Sequence, residues 1–460
     1  MVHTFSCDGV YLALDVCSNS LHVLDRLSFE AVARLNEGMG REALTGELTA
    51  RWPADAVREA MAEIDALRET GALFSSWPDD PVELNSAGVI KAMCLNVAHD
   101  CNLRCRYCFA GTGAFHGKRG LMSAHTGKRA LEFLIQHSGD RKYLEVDFFG
   151  GEPLVNTGAI REIVAYGRTL EERYGKKFRF TTTTNGINLT PDVLSFLDAE
   201  MSNIVVSIDG RPRVHDRMRP GPDGQGSYDR IIDNARNMAR QRGDRDYYIR
   251  GTYTKNNLDF TDDVLWLADQ GFEHISLEPV VADPSMPFAL TEAELPTIFA
   301  EYERLARAYR ERRKSGKWFS FFHFNVDLAG GPCAVKRLMG CGAGDDYIAV
   351  APDGAIYPCH QFVGEEDWRL GSVDEGIRRE DLRRMFRANH ALSKEKCAGC
   401  WARFHCGGGC AANAWHDSGD IREPYDIECR IERKRLELAL YLAAMEKLDA
   451  PEEAQVSVDG

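Results

Sequence analysis

His99-Asp100-Cys101-Asn102-Leu103-Arg104-Cys105-Arg106-Tyr107-Cys108-Phe109 sets three thiols on one short loop, directly after an apolar run, Val89 to Val97, that reads as a strand. Three thiolates can hold three irons of a 4Fe-4S cluster and leave the fourth iron without a protein ligand. That open iron is where an exogenous chelator can bind. The bland alternative is zinc, which for a structural site wants four closed ligands. No fourth ligand stands at a usual spacing nearby, and only His99 and His116 could complete such a set.

One strand further on comes Phe148-Phe149-Gly150-Gly151-Glu152-Pro153, bare backbone and one carboxylate at a strand's C-terminal end. Glycines permit close ligand approach, and the Glu152 carboxylate or the adjacent carbonyls could receive an ammonium group. The amino and carboxylate groups of S-adenosylmethionine (SAM) would chelate the open iron and bring the sulfonium next to an electron donor. Alone, GGEP is an ordinary turn. One strand after the cysteine loop it is specific.

Outward from this pair, strand-like and helix-like segments alternate from Val89 to about Arg313, the signature of a parallel sheet with crossover helices. The strand candidates are Val89 to Val97, Tyr143 to Phe149, Phe178 to Thr184, Ile204 to Ile208, Tyr247 to Tyr253 and His274 to Val280. Between them lie helical stretches such as Thr126 to Gln136, Ile160 to Arg173, Val193 to Ala199, Tyr228 to Arg240 and Asp262 to Ala268. Six repeats fit an α/β fold of partial (β/α)6 barrel type better than a closed eightfold one, with the reactive face at the C-terminal strand ends.

Residues 1–76 read as a separate module. Val10 to Val16 and Leu21 to Leu24 form strands around Ser18-Asn19-Ser20, Ser28 caps a helix through Leu35, and a second helix runs from Pro53 to Thr70. A polar linker, 77–88, leads to the barrel at 89–313, and a bridging region, 314–332, follows it. Over 333–449 the periodicity breaks into turns, glycines and cysteines; only Arg433 to Leu448 reads as helix, and a core there would need metal staples. The acidic residues 450–460 read as a disordered tail.

Eight of the 14 cysteines fall in that last region: Cys333, Cys341, Cys359, Cys397, Cys400, Cys406, Cys410 and Cys429. They could serve two four-iron clusters, with the intervening glycines letting the backbone wrap closely, while paired CxxC spacing also suits a zinc ribbon. Cys7, Cys17 and Cys94 stand alone and read as small buried hydrophobes. The formal net charge of -14 disfavours nucleic acid or an anionic membrane as partner. No apolar run is long enough to span a bilayer and no signal pattern opens the chain, so a cytoplasmic location is expected, where thiols are not normally disulfides.

CxxxCxxC with Tyr107 before the last cysteine, then GGEP one strand later, resembles the radical SAM superfamily. The resemblance implies that Cys101, Cys105 and Cys108 ligate the SAM-cleaving cluster, that the SAM amino group meets Gly150, Gly151, Glu152 and Pro153, and that Tyr107 lies near the adenine. Asn185 in Thr184-Asn185-Gly186 and Ser207 in Ser207-Ile208-Asp209-Gly210 match strand ends of the family and are further candidate SAM contacts, though such dipeptides are common turns. The spacing Cys341-x12-Gly354-x4-Cys359, then Cys397-x2-Cys400-x5-Cys406-x3-Cys410 and finally Cys429, is similar to the SPASM extension of peptide-modifying members. That likeness implies one auxiliary cluster on Cys397, Cys400, Cys406 and Cys429 and another on Cys341, Cys359 and Cys410. Cys333 or a substrate thiolate would fill the last position, making three 4Fe-4S clusters in all.

Val2-His3-Thr4-Phe5, the Tyr11 to Val16 hairpin, Gly340 to Gly344, Ile356 to Val363 and Trp401 to Cys410 resemble maturases of the cysteine-rich SCIFF peptides. Members of that family form thioether cross-links from a peptide cysteine to a carbon of an acceptor residue, often threonine. The N-terminal module resembles the RiPP recognition element, a winged-helix fold that binds a leader peptide, and an edge strand there could accept an extended chain. The implied partners are a cysteine-rich precursor peptide with its leader and an external one-electron reductant such as flavodoxin or ferredoxin. His360, directly after Cys359, is a candidate substrate contact or hydrogen-bond donor to a cluster, and His215-Asp216 and Arg219 are candidate peptide or SAM contacts or a plain polar loop. Two rival functions stand beside this one. Sulfatase maturases typically have aspartate where this chain has His360 and lack the N-terminal module; a multi-cluster electron carrier would need neither GGEP nor a barrel.

Overall fold

A computed structural model describes residues 1–77, 88–115, 117–328 and 337–449. At the N-terminus β1 (Val2–Cys7), β2 (Val10–Asp15) and β3 (Leu21–Leu24) form an antiparallel sheet in that order. Against it pack α1 (Arg26–Asn36), α2 (Arg41–Thr49) and α3 (Ala54–Glu69), burying Ala13, Val32, Leu44, Leu48, Val57 and Ile64 together. β1 and α2 go beyond the expected elements. Val2-His3-Thr4-Phe5 lacks period-two alternation and becomes a strand by pairing along its whole length with β2, from Val2 opposite Asp15 to Cys7 opposite Val10. The start of α1 also differs: Asp25, whose carboxylate accepts the Ser28 N–H at 2.7 Å, is the cap, and Ser28 lies inside the helix.

The centre is a parallel sheet of β4 (Ala92–His99), β6 (Tyr143–Gly150), β7 (Lys177–Thr184), β8 (Met201–Ser207), β9 (Tyr247–Tyr253) and β10 (His274–Pro279), side by side in chain order. The short β5 (Gly120–Leu121) flanks β4, and β11 (Ser320–Phe321) extends the sheet beyond β10. The connecting helices are α4 (Ala124–Gln136), α5 (Thr157–Tyr174), α6 (Pro191–Glu200), α7 (Pro212–Met218), α8 (Tyr228–Arg242), α9 (Phe260–Asp269) and α10 (Leu295–Lys314). Alternation along the strands separates two environments. Leu144, Val146, Phe148, Phe180, Ile204, Val206, Ile249 and Leu277 are buried in the apolar core, whereas Asp147, Phe149, Thr181, Asn203 and Glu278 on the opposite face are only half-buried and Arg250 is exposed. Parallel sheets are ordinarily covered on both faces, so a polar, half-open inner face marks a lumen built to receive something.

The strand order does not close on itself. Beyond β4 it continues through β12 (Tyr347–Val350), parallel to β4, into β13 (Ala355–Tyr357), β14 (Gly371–Ser372) and β15 (Gly376–Ile377). The cysteine-rich region thus grows from the barrel's own sheet, and Ile348, Val350, Ile356, Phe362, Trp368 and Phe386 join the barrel's core. Apolar packing against the barrel thus gives that region a core beside whatever its cysteines hold. Helices Glu380–Ala388 and Ala411–Ser418 were also not expected; the first shows only Leu382 and Phe386 as buried apolar anchors in a charged background. The last helix runs Asp426–Asp449 and takes in Cys429. Residues 78–87 of the linker, His116, Cys333 and the tail from 450 lie outside the described residues.

The N-terminal module rests on the C-terminal region. The His3 ring stacks on Trp401 at 3.8 Å, Trp77 on Phe404 at 4.4 Å, and His3 Nε2 lies 3.0 Å from the Glu437 carboxylate.

Candidate active site

The cysteine loop leaves β4 at His99 and is tied to the segment after α7. The Arg104 N–H donates to Pro220 O at 2.8 Å and the Arg106 N–H to Met218 O at 2.9 Å. Inside the loop the Cys108 N–H donates to Cys105 O, and the Leu103 N–H approaches Cys101 Sγ at 3.4 Å. Burial pushes the Cys101 thiol up to about 12 and the Cys105 thiol up to about 11, and the neighbouring cysteines add to both shifts. A bare thiolate is therefore disfavoured there, while a sulfur bound to cationic iron escapes that penalty. Among the described residues no three His, Cys, Asp or Glu side chains converge on a single metal ion. Thiols around a four-iron cluster stand farther apart, each on its own corner, and the loop's chemistry fits that group.

Gly150 and Gly151 have a packing role that the motif alone did not reveal. Gly150 has φ +131°, and a Cβ on either residue would collide with the Ala98 or Asp100 backbone next to Cys101. The two segments are joined by Gly151 N–H to Ala98 O at 2.8 Å and Glu152 N–H to Asp100 O at 2.9 Å. The Glu152 carboxylate is 1% exposed and accepts the Leu154 N–H at 3.0 Å, the Thr184 hydroxyl at 2.7 Å and the Asn185 N–H at 2.7 Å. With both oxygens engaged, it joins the ends of β6 and β7, and an ammonium group there would compete with three internal donors. Pro153 opens the short turn Pro153–Asn156 that Glu152 caps.

Asn185 is brought to the cysteines: its Nδ2 lies 2.8 Å from Asn102 Oδ1 and 3.7 Å from Cys101 Sγ. Ser207 ends β8 opposite Arg250 on the half-open face. The Tyr107 hydroxyl donates to both Asp209 oxygens at 2.8 and 2.7 Å, Arg219 Nε donates to Asp209 at 2.9 Å, and the Arg219 guanidinium lies 5.3 Å from the Tyr107 ring centre. Asp209, fully buried, was read only as part of a turn; its partners are distant in sequence and left no local signal. His215 and Asp216 are engaged within the fold. His215 Nε2 meets Ser227 Oγ at 2.9 Å, burial pulls the ring down to about 4, and Asp216 accepts the Ser227 and Tyr228 N–H groups.

His360 stands where the two cysteine regions meet. Its ring centre is 5.7 Å from Phe109, which follows Cys108, and 4.9 Å from Phe149, which precedes GGEP; its Nδ1 is 3.1 Å from the Tyr347 hydroxyl. Burial pulls it down to about 4, so it is neutral near pH 7. Beside it the Cys359, Cys410 and Cys341 thiols are electrostatic neighbours, with Gln361 Nε2 3.8 Å from Cys410 Sγ. Cys397 neighbours Cys400 and Cys429, and Cys429 neighbours Cys406. Burial lifts the Cys406, Cys410 and Cys429 thiols to about 12 each. The buried Lys394 ammonium sits among these thiols and donates to Gly408 O at 2.7 Å.

The radical SAM superfamily model matches residues 95–252, from within β4 to the end of β9, and an iron-sulfur cluster-binding domain model, SPASM, matches 341–401. The chain joins a radical SAM domain to a SPASM domain. SAM and iron-sulfur clusters are accordingly the cofactors of its two regions. The radical SAM match takes in all three cysteines of the first loop; the SPASM match takes in Cys341, Cys359, Cys397 and Cys400 and stops before Cys406. The chain is 28% identical to the mycofactocin maturase MftC of Mycolicibacterium smegmatis over 76% of its own length and 85% of that protein. It is 24% identical to a cysteine-type anaerobic sulfatase-maturating enzyme of Clostridium novyi, over 68% and 86% of the two chains. The solved structure of native anSMEcpe with bound AdoMet superposes with TM-score 0.64 at 18% identity, covering 77% of this chain and 98% of that one. No helix among the described residues is long and apolar enough to cross a membrane.

Proposed function

We propose that this chain is a maturase that installs a cysteine thioether in a SCIFF-type, ribosomally made precursor peptide, joining a peptide sulfur to a carbon of an acceptor residue such as threonine. The observation that carries this reading is His360: a neutral ring after Cys359, against Phe109 and Phe149, where sulfatase maturases typically place aspartate. In this reading Cys101, Cys105 and Cys108 hold the SAM-binding cluster, the Gly150 to Pro153 segment takes the SAM amino group, and Tyr107, Asn185 and Ser207 are its further contacts. Cys397, Cys400, Cys406 and Cys429 hold one auxiliary cluster and Cys341, Cys359 and Cys410 the other, completed by Cys333 or the substrate thiolate. When bound, the cluster and SAM would supply removal of one substrate hydrogen atom; closing the thioether releases the thiol proton and one electron, for which the auxiliary cluster on Cys341, Cys359 and Cys410 would be the acceptor. The chain's own groups position the partners. Glu152 holds two strand ends, and the Tyr107–Asp209–Arg219 network fixes the loop.

The N-terminal module would hold the leader along β3, the edge of its sheet, where Val23 is 45% exposed. Tethering the leader raises the effective concentration of a weakly held core peptide at the lumen. Sulfatase maturation is the second reading, favoured by the Clostridium novyi relative and by the anSMEcpe superposition, which still leaves nearly a quarter of this chain unmatched.

Mass spectrometry separates the two after incubation of the cluster-loaded protein with SAM, dithionite and a cysteine-rich precursor peptide. A thioether removes two hydrogens per bridge, keeps the sulfur and blocks alkylation of that cysteine. Formylglycine formation loses the sulfur and leaves an aldehyde. An unmodified peptide alongside 5'-deoxyadenosine would overturn the substrate assignment, and no deoxyadenosine at all would overturn the enzyme reading.

A further inference from the structure

The outer surface of the cysteine loop is basic in a chain whose formal net charge is -14. Arg104 and Arg106 flank Cys105, and the loop's hydrogen bonds to Pro220 O and Met218 O lay it beside the end of α7. That juxtaposition brings the backbone of Arg106 to the end of α7, along which Arg213 and Arg217 are one helical turn apart. Arg106, Lys118, Arg213 and Arg217 are all exposed. Their neighbours Arg119, Arg211 and Arg219 pair with Asp100, Asp263 and Asp209, whereas these four have no ion-pair partner among the described residues. Residues 99–121 and 211–220 hold two acids, Asp100 and Asp216. Asp100 is neutralised by Arg119, and Asp216 is turned inward to two N–H groups.

We infer that this face, with Arg106, Arg213 and Arg217, is the docking surface for an acidic one-electron carrier protein. The inference rests on the proposed radical SAM reaction, which consumes one electron at the centre held by Cys101, Cys105 and Cys108. The docked carrier is oxidised by one electron, the centre is reduced by one, and no atom changes hands. The peptide approaches through the lumen, so the outer side of the loop remains for the donor, and Arg106 brings it beside the Cys105 corner. Unpaired rim charges raise encounter rates and confer salt dependence rather than deep affinity.

The test uses the double variant Arg213→Glu/Arg217→Glu of the full, cluster-loaded chain, with flavodoxin as probe. Fluorescence anisotropy of labelled flavodoxin, without SAM or peptide, should show at least about tenfold weaker binding than the unaltered chain, whose own affinity falls with added salt. Deoxyadenosine formation driven by reduced flavodoxin should fall about tenfold below saturation while the dithionite-driven rate stays unchanged. Equal flavodoxin binding by both proteins would overturn the inference. So would a variant that loses affinity for precursor peptide and keeps it for flavodoxin. Failure of the unaltered protein to cleave SAM with dithionite would sink the proposed function instead, while the binding arm still decides the docking surface.

Discussion

The two cysteine regions are assembled in opposite ways. The first gathers its thiols within eight residues of one loop, Cys101 to Cys108, set by local hydrogen bonds and by two glycines pressed against the same backbone. The second collects described thiols from Cys341 to Cys429, from loops, short turns and the first turns of the last helix. Gly407, Gly408 and Gly409 all take φ between +70° and +92° to turn the chain between Cys406 and Cys410. Closing such long loops costs more chain entropy than an octapeptide does. The lesson is that one loop can be read as a motif, whereas the other set is a tertiary product that bound metal and neighbouring modules must help to hold.

Substitutions can break that contrast, and the largest effect should come from the long-range set. Cys406→Ala in the holoprotein should remove about four irons and lower the unfolding free energy by about 3 kcal/mol or more, read by iron analysis and urea unfolding. An unchanged midpoint would show that the second region holds itself without metal. Glu152→Ala comes next. It strands the Leu154, Thr184 and Asn185 donors and should cost about 3 kcal/mol together with most SAM affinity, measured by calorimetry of SAM binding. Full SAM affinity in that variant would refute its positioning role.

Trp401→Ala should cost about 1 kcal/mol and speed amide exchange in β1, because His3 loses its stacking partner. Exchange confined to residues around 401 would mean that the N-terminal module is not braced there. A pH dependence is shared by both regions and involves no substitution. Burial pulls His99, His215, His360 and His405 from about 6.5 to about 4. Below about pH 6.5 the unfolded chain takes up protons that these folded rings refuse, so stability should fall as pH drops from 6.5 towards 4 and stay level above 7. Urea midpoints of the metal-free protein at pH 7.5 and 5.5 check this, and a higher midpoint at 5.5 would contradict it.

The contrast also governs what could be read in advance. Six parallel strands were legible because alternation and length survive in each, with ends misplaced by three residues at most. β1 escaped because its pairing supplies what its pattern lacks, and the helix Glu380–Ala388 because two apolar residues carry it. At the site, Cys101, Cys105 and Cys108 and the GGEP segment announced themselves by spacing. Asp209 did not, and Arg219 was singled out only as a possible peptide or SAM contact, since their pairing beneath Tyr107 appears only when the segments after β8 and α7 are folded against the loop. The donors that fill the Glu152 carboxylate were not legible either, because Thr184 and Asn185 come from the end of the next strand.

The most direct test of the account is iron and SAM analysis of the Cys101→Ala/Cys105→Ala/Cys108→Ala variant beside the unaltered protein, both reconstituted anaerobically. The account predicts that the variant loses about four irons per chain, keeps the remainder, and forms no 5'-deoxyadenosine with dithionite. A variant that retains its full iron, or still cleaves SAM, would contradict it.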